Sequence, residues 1–284
     1  MLNIDLHCHS HVSDGVLSPT DVVTRAATNG VDVFALTDHD DVAGLTEAQT
    51  AANKLGIAFI PGVEISVTWH GHTVHIVGLR MDPLNSVLVE GLQLIRTGRT
   101  LRAQRMGEDL AKHGIAGAFD GARVHAVNKQ IIGRVHFARW LVEQGYATDV
   151  RQAFKRFLTP GKPGYVEHQW TTLEDAVTWI RVSGGMAIMA HPGRYSLSAR
   201  ELHTLLDEFR THGGEGIEVV TGSHHPTEYG KFADLARAFG FKASRGADFH
   251  APGEGVDLGR LPALPHYCKP VWLDWPEAEQ KQTH

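Results

Sequence analysis

Apolar residues in this chain come in short runs that each end on a polar group. They are LNIDLH (2–7), VFALTDH (33–39), AFIPGVEIS (58–66), TVHIVGL (73–79), GMAIMAHPG (185–193), GIEVVTG (216–222) and KASRGADFH (242–250), with VWLDW (271–275) as an eighth candidate. Runs of this length, bounded by Gly, Pro or Asp, predict strands buried on both faces. Helical patterns lie between many of them. The first, 19–29, opens on Ser18-Pro19, a cap followed by a proline at the first helical position; the second, 41–55, stops at Gly56. Further helices are expected over 172–183, 198–212 and 226–239. Strand–helix alternation with apolar strands reads as a parallel α/β sheet closed into a barrel. The Trp69-His70-Gly71-His72 turn joins two strands directly, so a distorted (β/α)7 barrel fits better than an ideal one.

Residues 84–166 break the rhythm. Leu88, Leu92 and Ile95, then Leu101, Met106 and Leu110, have helical spacing, and further helices are expected over 133–144 and 148–158. The expected organisation is a barrel from 1–83 and 167–284 with a small all-helical insertion domain at 84–166. Charge follows the same division. The net charge is −5, yet residues 84–166 carry 13 Lys and Arg against 6 Asp and Glu. A basic segment beside an acidic, histidine-rich body points to an anionic substrate presented to metal ions. No run approaches the roughly 18 apolar residues of a membrane span. The start, MLNIDLHCHSH, has no basic head or apolar signal stretch, and Cys8 and Cys268 give no disulfide framework. A cytoplasmic protein is expected.

Histidine occurs 19 times, and it is the commonest metal ligand. On a strand His7 and His9 share a face while Cys8 points away; the two imidazoles can converge on one ion only where the strand ends and the chain curves. That pair alone says little. A carboxylate follows on the Ser13-Asp14-Gly15 turn, His39 ends the second run, Glu64 the third, His75 lies in the fourth, His191 ends the fifth, and Asp248 and His250 end the seventh. Barrel enzymes draw their reacting groups from the C-terminal ends of several strands. Any one of these could be a capping residue; nine together make a metal site. Imidazole with carboxylate and no placed thiolate suits Mn, Fe or Zn. Glu64 is the candidate bridge between two ions, which would hold a hydroxide and lower the pKa of bound water from ~15.7 towards ~7. Asp5 and Glu218 are candidates to orient His7.

The ordered motifs H-C-H-S…S-D-G, T-D-H-D, P-G-V-E-I-S, H-x-V-G, A-H-P-G and G-A-D-F-H resemble those of the polymerase and histidinol phosphatase (PHP) family, over residues 1–80 and about 170–250. The resemblance implies a seven-stranded distorted barrel with a trinuclear centre. One site would take His7, His9, Glu64 and Asp248, a second Asp14, His39 and His250, and a third Glu64, His75 and His191. Two or three divalent ions are expected, Mn²⁺ first, with Fe or Zn as alternatives. The stretch I-G-R-V-H-F-A-R at 132–139 resembles the TrpH-like stand-alone branch of the family. That branch implies hydrolysis of the 3′-phosphate of a 3′,5′-nucleotide bisphosphate (pAp-like) to a 5′-nucleotide by a metal-bridging hydroxide. The alternatives are 5′-to-3′ exoribonuclease or oligonucleotide phosphodiesterase action, histidinol-phosphate phosphatase action, a non-catalytic metal-binding module, and amide hydrolysis, for which no lysine stands at a strand end. The expected partners are a small phosphorylated nucleotide or short RNA ends, with no membrane and no obligate protein partner.

Arginine forks match phosphate oxygens. Arg134 and His136 at a helix start, Arg194 just past His191-Pro192-Gly193, and His225 are the candidate substrate-binding residues, with Lys129 and His224 behind them. Arg96, Arg99, Arg102 and Arg105 recur every three residues and read as a solvated ridge. Trp170 and Tyr195 are candidates for stacking a base.

Overall fold

The computed structural model describes residues 2–282. Seven strands form one sheet in chain order: β1 (Ile4–Asp5), β2 (Val33–Leu36), β3 (Ala58–Trp69), β4 (His72–Leu79), β5 (Met186–Met189), β6 (Gly216–Thr221) and β7 (Lys242–Gly246). All neighbours pair in parallel except β4, which runs antiparallel to both β3 and β5. Backbone bonds from Leu6 to Arg245 (3.0 Å), Asp248 to His7 (2.8 Å) and His9 to Phe249 (2.8 Å) draw the two ends of the sheet together. The distorted (β/α)7 barrel expected from the sequence is the fold found, and the β3–β4 hairpin is its distortion.

The strands alternate between two apolar environments. Val33 and Ala35 join Ile4, Leu6, Ile60, Val77 and Ile188 in one cluster, whereas Phe34 and Leu36 belong to a larger cluster shared with the surrounding helices. Strands buried on both faces give the continuous apolar runs seen in the sequence. Most of those runs overshoot the strands. Val33–His39 was expected to be extended to its end, but β2 stops at Leu36, where Thr37 bonds instead to the backbone of Cys8 and the chain leaves the ladder as a mouth loop. The eighth candidate, 271–275, forms turns rather than a strand. Val271 and Trp275, four residues apart, both pack into the inner cluster while Leu273 is half exposed, a spacing that suits a turn leading into a helix.

Helices α1 (Pro19–Thr28) and α2 (Leu45–Leu55) follow the first strands; Ser18 accepts a hydrogen bond from the Asp21 amide, and Gly56 ends α2 at a φ of 68°. The 84–166 segment contains α3 (Ser86–Lys112), α4 (Ala118–His125), α5 (Arg134–Glu143) and α6 (Val150–Ala153), the last running into a π-turn at Phe154–Leu158. Helix α4 had no counterpart in the sequence reading. Helices α7 (Leu173–Val182), α8 (Ala199–Thr211) and α9 (Tyr229–Phe239) cover the later strands, and α10 (Pro276–Gln282) follows the turns after Pro270.

The 84–166 segment has an apolar cluster of its own, formed by Met106, Leu110, Ala122, Phe137, Leu141 and Leu158 among others. The first half of α3 belongs elsewhere: Leu88, Leu92 and Ile95 join the barrel cluster, and a methyl at Gly91 would overlap the Trp179 ring of α7. One helix thus serves both cores. Leu101, expected on its apolar stripe, is 53% exposed, because the buried face continues through Arg99, Arg102 and Ala103 instead.

Closure between β1 and β7 depends on a residue with no side chain. A methyl at Gly246 would meet the backbone and Cβ of His7. Gly246→Ala should therefore cost about 1–3 kcal/mol through overpacking, read as a lowered denaturant midpoint. An unchanged midpoint would mean that this seam has slack.

Candidate metal centre

The nine histidines and carboxylates singled out in the sequence meet at one end of the barrel. Four groups have ligand atoms within 4.8 Å of one another: His9, Asp14, His39 and His250; His7, His191 and Asp248; His7, His9 and Glu64; and His39, Glu64 and His75. His7 and His9 lie just beyond the end of β1, where the chain curves, and their Nε2 atoms come within 3.2 Å. Glu64 stands at the middle. Its Oε1 faces His75 Nδ1 (3.0 Å) and His191 Nε2 (2.9 Å), while its Oε2 faces His39 Nδ1 (3.0 Å), His9 Nε2 (3.2 Å) and His7 Nε2 (3.4 Å). Each oxygen therefore serves a different set of imidazoles, which is the arrangement a bridging carboxylate requires.

Not every donor sits at a strand end. Glu64 lies within β3 and His75 within β4, because the hairpin continues past the barrel mouth. Glu64 sits where the β2 partner runs out, in an isolated bridge with His39. His191 and Asp248 hold positive φ values of 24° and 54°. Such backbone costs about 1–3 kcal/mol per residue and persists only where surrounding contacts impose it.

Those contacts are identifiable. Glu218, on β6, accepts from His7 Nδ1 (2.8 Å) and from the His191 amide (2.6 Å), fixing two donors with one carboxylate. Asp5, the other candidate for that task, turns away; its oxygens take the Ala247 and Gly259 amides, both at 2.8 Å. Asp38 holds the loop before Asp14 through Ser10 and Ser13. Tyr195 does not line the cavity as a stacking platform would. Its hydroxyl donates to the Ala190 carbonyl (2.7 Å) and accepts from the His75 amide (2.8 Å).

The electrostatics call for cations. Burial would push the Glu64 carboxyl up, but His39, His75 and His7 hold it well below the usual carboxylate range. Against the same burial, His7, His9 and His250 hold Asp248 down, and His250 and His39 hold Asp14 down. Burial opposes a charged His9 as well, yet Asp248, Glu64 and Asp14 raise it to about 10. Three ionised carboxylates thus share a site in which His7 and His9 are held protonated, whereas burial pushes His39 and His191 down. Buried Asp14 Oδ1, Glu64 Oε2, Asp248 Oδ1 and His39 Nδ1 have no hydrogen-bond partner. Orphaned oxygens and ring nitrogens aimed at common points fit divalent ions. Cys8 supplies no thiolate: it is buried, with Sγ donating to the Ala35 carbonyl.

The cluster opens into a cavity of about 390 Å³ whose lining includes Asp14, His39, His75, Asp248 and His250 together with Arg99, Arg102, Arg134, Arg194, Tyr165 and Trp170. Arg134 and Arg194 reach it as expected positions for anion contact, Arg194 tethered to Asp248 (3.1 Å). His136 does not line it. It is buried, its Nδ1 accepts the Gly133 amide (3.0 Å), and burial lowers it to about 4. His225 is exposed on the turn beyond β6, where its ring bonds Thr227, and Lys129 caps backbone carbonyls. His224 accepts the Gly193 amide (2.9 Å) and stacks on Phe232, bracing the turn that carries Arg194.

The expected solvated ridge is the largest departure. Arg96, Arg99 and Arg102 are only 7–9% exposed; Arg105 alone of the four faces solvent. Arg99 pairs with Asp40 and donates to Ser66 Oγ (2.8 Å), and Trp170 lies against both Arg99 and Arg102. The signal was present: the apolar stripe Leu88, Leu92, Ile95 continues, at the same spacing, through Arg99 and Arg102 to Met106 and Leu110.

Replacing Glu218 by Gln should weaken divalent-ion binding by about 10- to 100-fold, the usual cost of removing a carboxylate that orients a ligand. Calorimetric titration with Mn²⁺ reads this directly; wild-type affinity would show that His7 and His191 are held by other contacts.

Comparison with known proteins places the chain in a family. The PHP domain model matches residues 5–219; Asp248 and His250 lie beyond that span. The chain is 53% identical over 275 residues to a 3′,5′-nucleoside bisphosphate phosphatase of Chromobacterium violaceum, covering 96% of each chain. It is 41% identical over 268 residues to a 5′-3′ exoribonuclease of Haemophilus influenzae, covering 94% of this chain and 97% of that one. Among solved structures, an amidohydrolase from Chromobacterium violaceum with bound sulfate superposes with a TM-score of 0.93 at 51% identity, over 99% of this chain and 96% of the other. From its matched span, its barrel and its full-length relatives, the chain belongs to the PHP domain family.

Proposed function

We propose that the protein is a hydrolase of phosphoester bonds that removes the 3′-phosphate from a 3′,5′-nucleoside bisphosphate, releasing a 5′-nucleotide and phosphate. The observation that carries this reading is one cavity lined both by donors of the cluster, Asp14, His39, His75, Asp248 and His250, and by four guanidinium groups, those of Arg99, Arg102, Arg134 and Arg194. Arg102 and Arg134 form no ion pair among the described residues. Burial, with neighbouring arginines, lowers Arg102 to about 9 and lowers Arg134 as well. Cations kept half-desolvated and unpaired need an anion, and a substrate with two phosphates supplies one to them and one to the metal donors.

In this mechanism the donors around Glu64 would hold two or three divalent ions, Mn²⁺ in our proposal. Such ions lower the pKa of bound water and draw charge from phosphate oxygens. Arg194, held by Asp248, keeps N–H groups free for the scissile phosphate, while Arg102 and Arg134 take the second phosphate. Trp170 lies against Arg99 and Arg102 and Phe154 against Arg134, and with Val135 these rings supply the apolar part of the lining for the nucleoside. His136 and His225 have no direct role in this reading.

Similarity to the exoribonuclease supports short 5′-phosphorylated RNA as a second substrate class. For amide hydrolysis the cavity offers no lysine, and Glu64 occupies the bridging position. The proposal includes a cytoplasmic setting, supported by free Cys8 and Cys268. Among the described residues no helix is long and apolar enough to cross a membrane.

A panel of adenosine 3′,5′-bisphosphate, a 5′-phosphorylated oligoribonucleotide and histidinol phosphate tests the assignment. The highest kcat/KM is expected for the bisphosphate, and preference for histidinol phosphate would overturn it. Arg134→Gln should raise KM for the bisphosphate by about 10- to 100-fold, the loss of one charged hydrogen-bonding partner, while leaving a 3′-monophosphate little affected. His39→Asn and Glu64→Gln, with wild-type circular dichroism, should lose activity; full activity in either would refute the assigned site.

A further inference from the structure

The nine donors are not all held by the same part of the chain. His7 and His191 are fixed by Glu218, His75 by Tyr195, and Asp248 by Ser223 and Arg194. All of these braces belong to the barrel. The loops carrying Asp14 and His39 have barrel braces too, from Asp38 and Ser66, but they also take bonds from the helical segment.

Asp14 lies on the loop after β1, and its own carbonyl accepts from Arg139 Nη2 of α5 (3.0 Å). Beside His39, the Asp40 carbonyl accepts from Arg96 Nη1 (2.8 Å) and the Asp40 carboxylate from Arg99 Nε (2.7 Å). Asp41 accepts from Asn128 (2.6 Å). Asp40 needs that restraint: its φ is +50°, a conformation that side chains other than glycine seldom adopt without support. Asp14 and His39 belong together in the group completed by His9 and His250, and all of that group except His9 is partly exposed at the mouth. The other three groups each centre on Glu64 or on His7 with Asp248, and the two that contain His7 are mostly buried.

We propose that Arg139 is a positioning residue for this outer metal position, so that the helical segment shares with the barrel the setting of how tightly one ion is held. Arg139 neither lines the cavity nor forms an ion pair among the described residues; its guanidinium is spent on one main-chain oxygen. The same helix carries Arg134 five residues earlier, so a single rigid element joins the substrate wall to the loop of Asp14. An anion on Arg134 and an ion at the outer position thereby stabilise the same placement of α5, and such coupling is reciprocal.

The inference rests on the reading of the cluster as a metal centre, and the test separates the two. Wild-type protein and the Arg139→Gln and Arg139→Lys variants are stripped of metal, titrated with Mn²⁺ in a calorimeter, and assayed for bound metal by mass spectrometry after dialysis. The glutamine variant should bind one ion about 10- to 100-fold more weakly, retain the others at wild-type affinity, and show near-normal KM once saturated with Mn²⁺. The lysine variant should recover part of the loss. Retention of the inner ions also shows that the barrel has folded. Equal weakening of every ion, wild-type affinity for all, or a raised KM with unchanged metal binding would each overturn the assignment to Arg139. Failure of the wild-type protein itself to bind Mn²⁺ would instead remove the metal-centre reading.

Discussion

Three carboxylates, Asp14, Glu64 and Asp248, stand among six imidazoles at the mouth of a barrel, and most of what is unusual nearby follows from keeping them ionised there. Burying one carboxylate is costly unless opposite charge and hydrogen bonds compensate. Here the compensation is organised in rings. Glu218 faces His7 and the His191 backbone; Asp38 ties down the Ser10–Ser13 loop; Ser223 and Arg194 take the outer oxygen of Asp248. The oxygens left without partners all point inward, toward places where a divalent ion satisfies several at once.

The barrel supplies this arrangement because its parallel strands end at one rim, and the hairpin of β3 and β4 supplies what an ideal barrel lacks. By running on past the rim it places Glu64 and His75 on paired strands, where a loop would have given less rigid support. The helical segment then adds the guanidinium groups of Arg99, Arg102 and Arg134 to the cavity lining. The donors come from the barrel, as does Arg194, while Arg99, Arg102 and Arg134 come from the helical segment, in keeping with its excess of positive charge.

Much of this was legible from residues alone, for physical reasons. Strands buried on both faces leave uninterrupted apolar runs, so their number and order could be read; their ends could not, since residues such as Thr37 and Asp38 leave the ladder for tertiary contacts that no local pattern encodes. The nine donors stood out because carboxylates and histidines at the ends of apolar runs have few other uses, though only the fold shows Glu64 dividing its oxygens between two sets of rings. Arg96, Arg99 and Arg102 were misread because arginine on a helix is ordinarily solvated. Their burial depends on Asp40, Asp41 and Trp170, remote in sequence. Asp5 and Glu218 looked equivalent as partners for His7 until the curvature beyond β1 turned Asp5 toward the Ala247 amide.

Our proposal places Glu64 between ions that it would bridge. Anomalous diffraction from crystals of the protein grown with Mn²⁺ tests this most directly. The account predicts peaks on both sides of the Glu64 carboxylate, one toward His75 and His191 and another toward His7, His9 and Asp248. Manganese bound elsewhere on the protein, or no anomalous density beside Glu64, would contradict it.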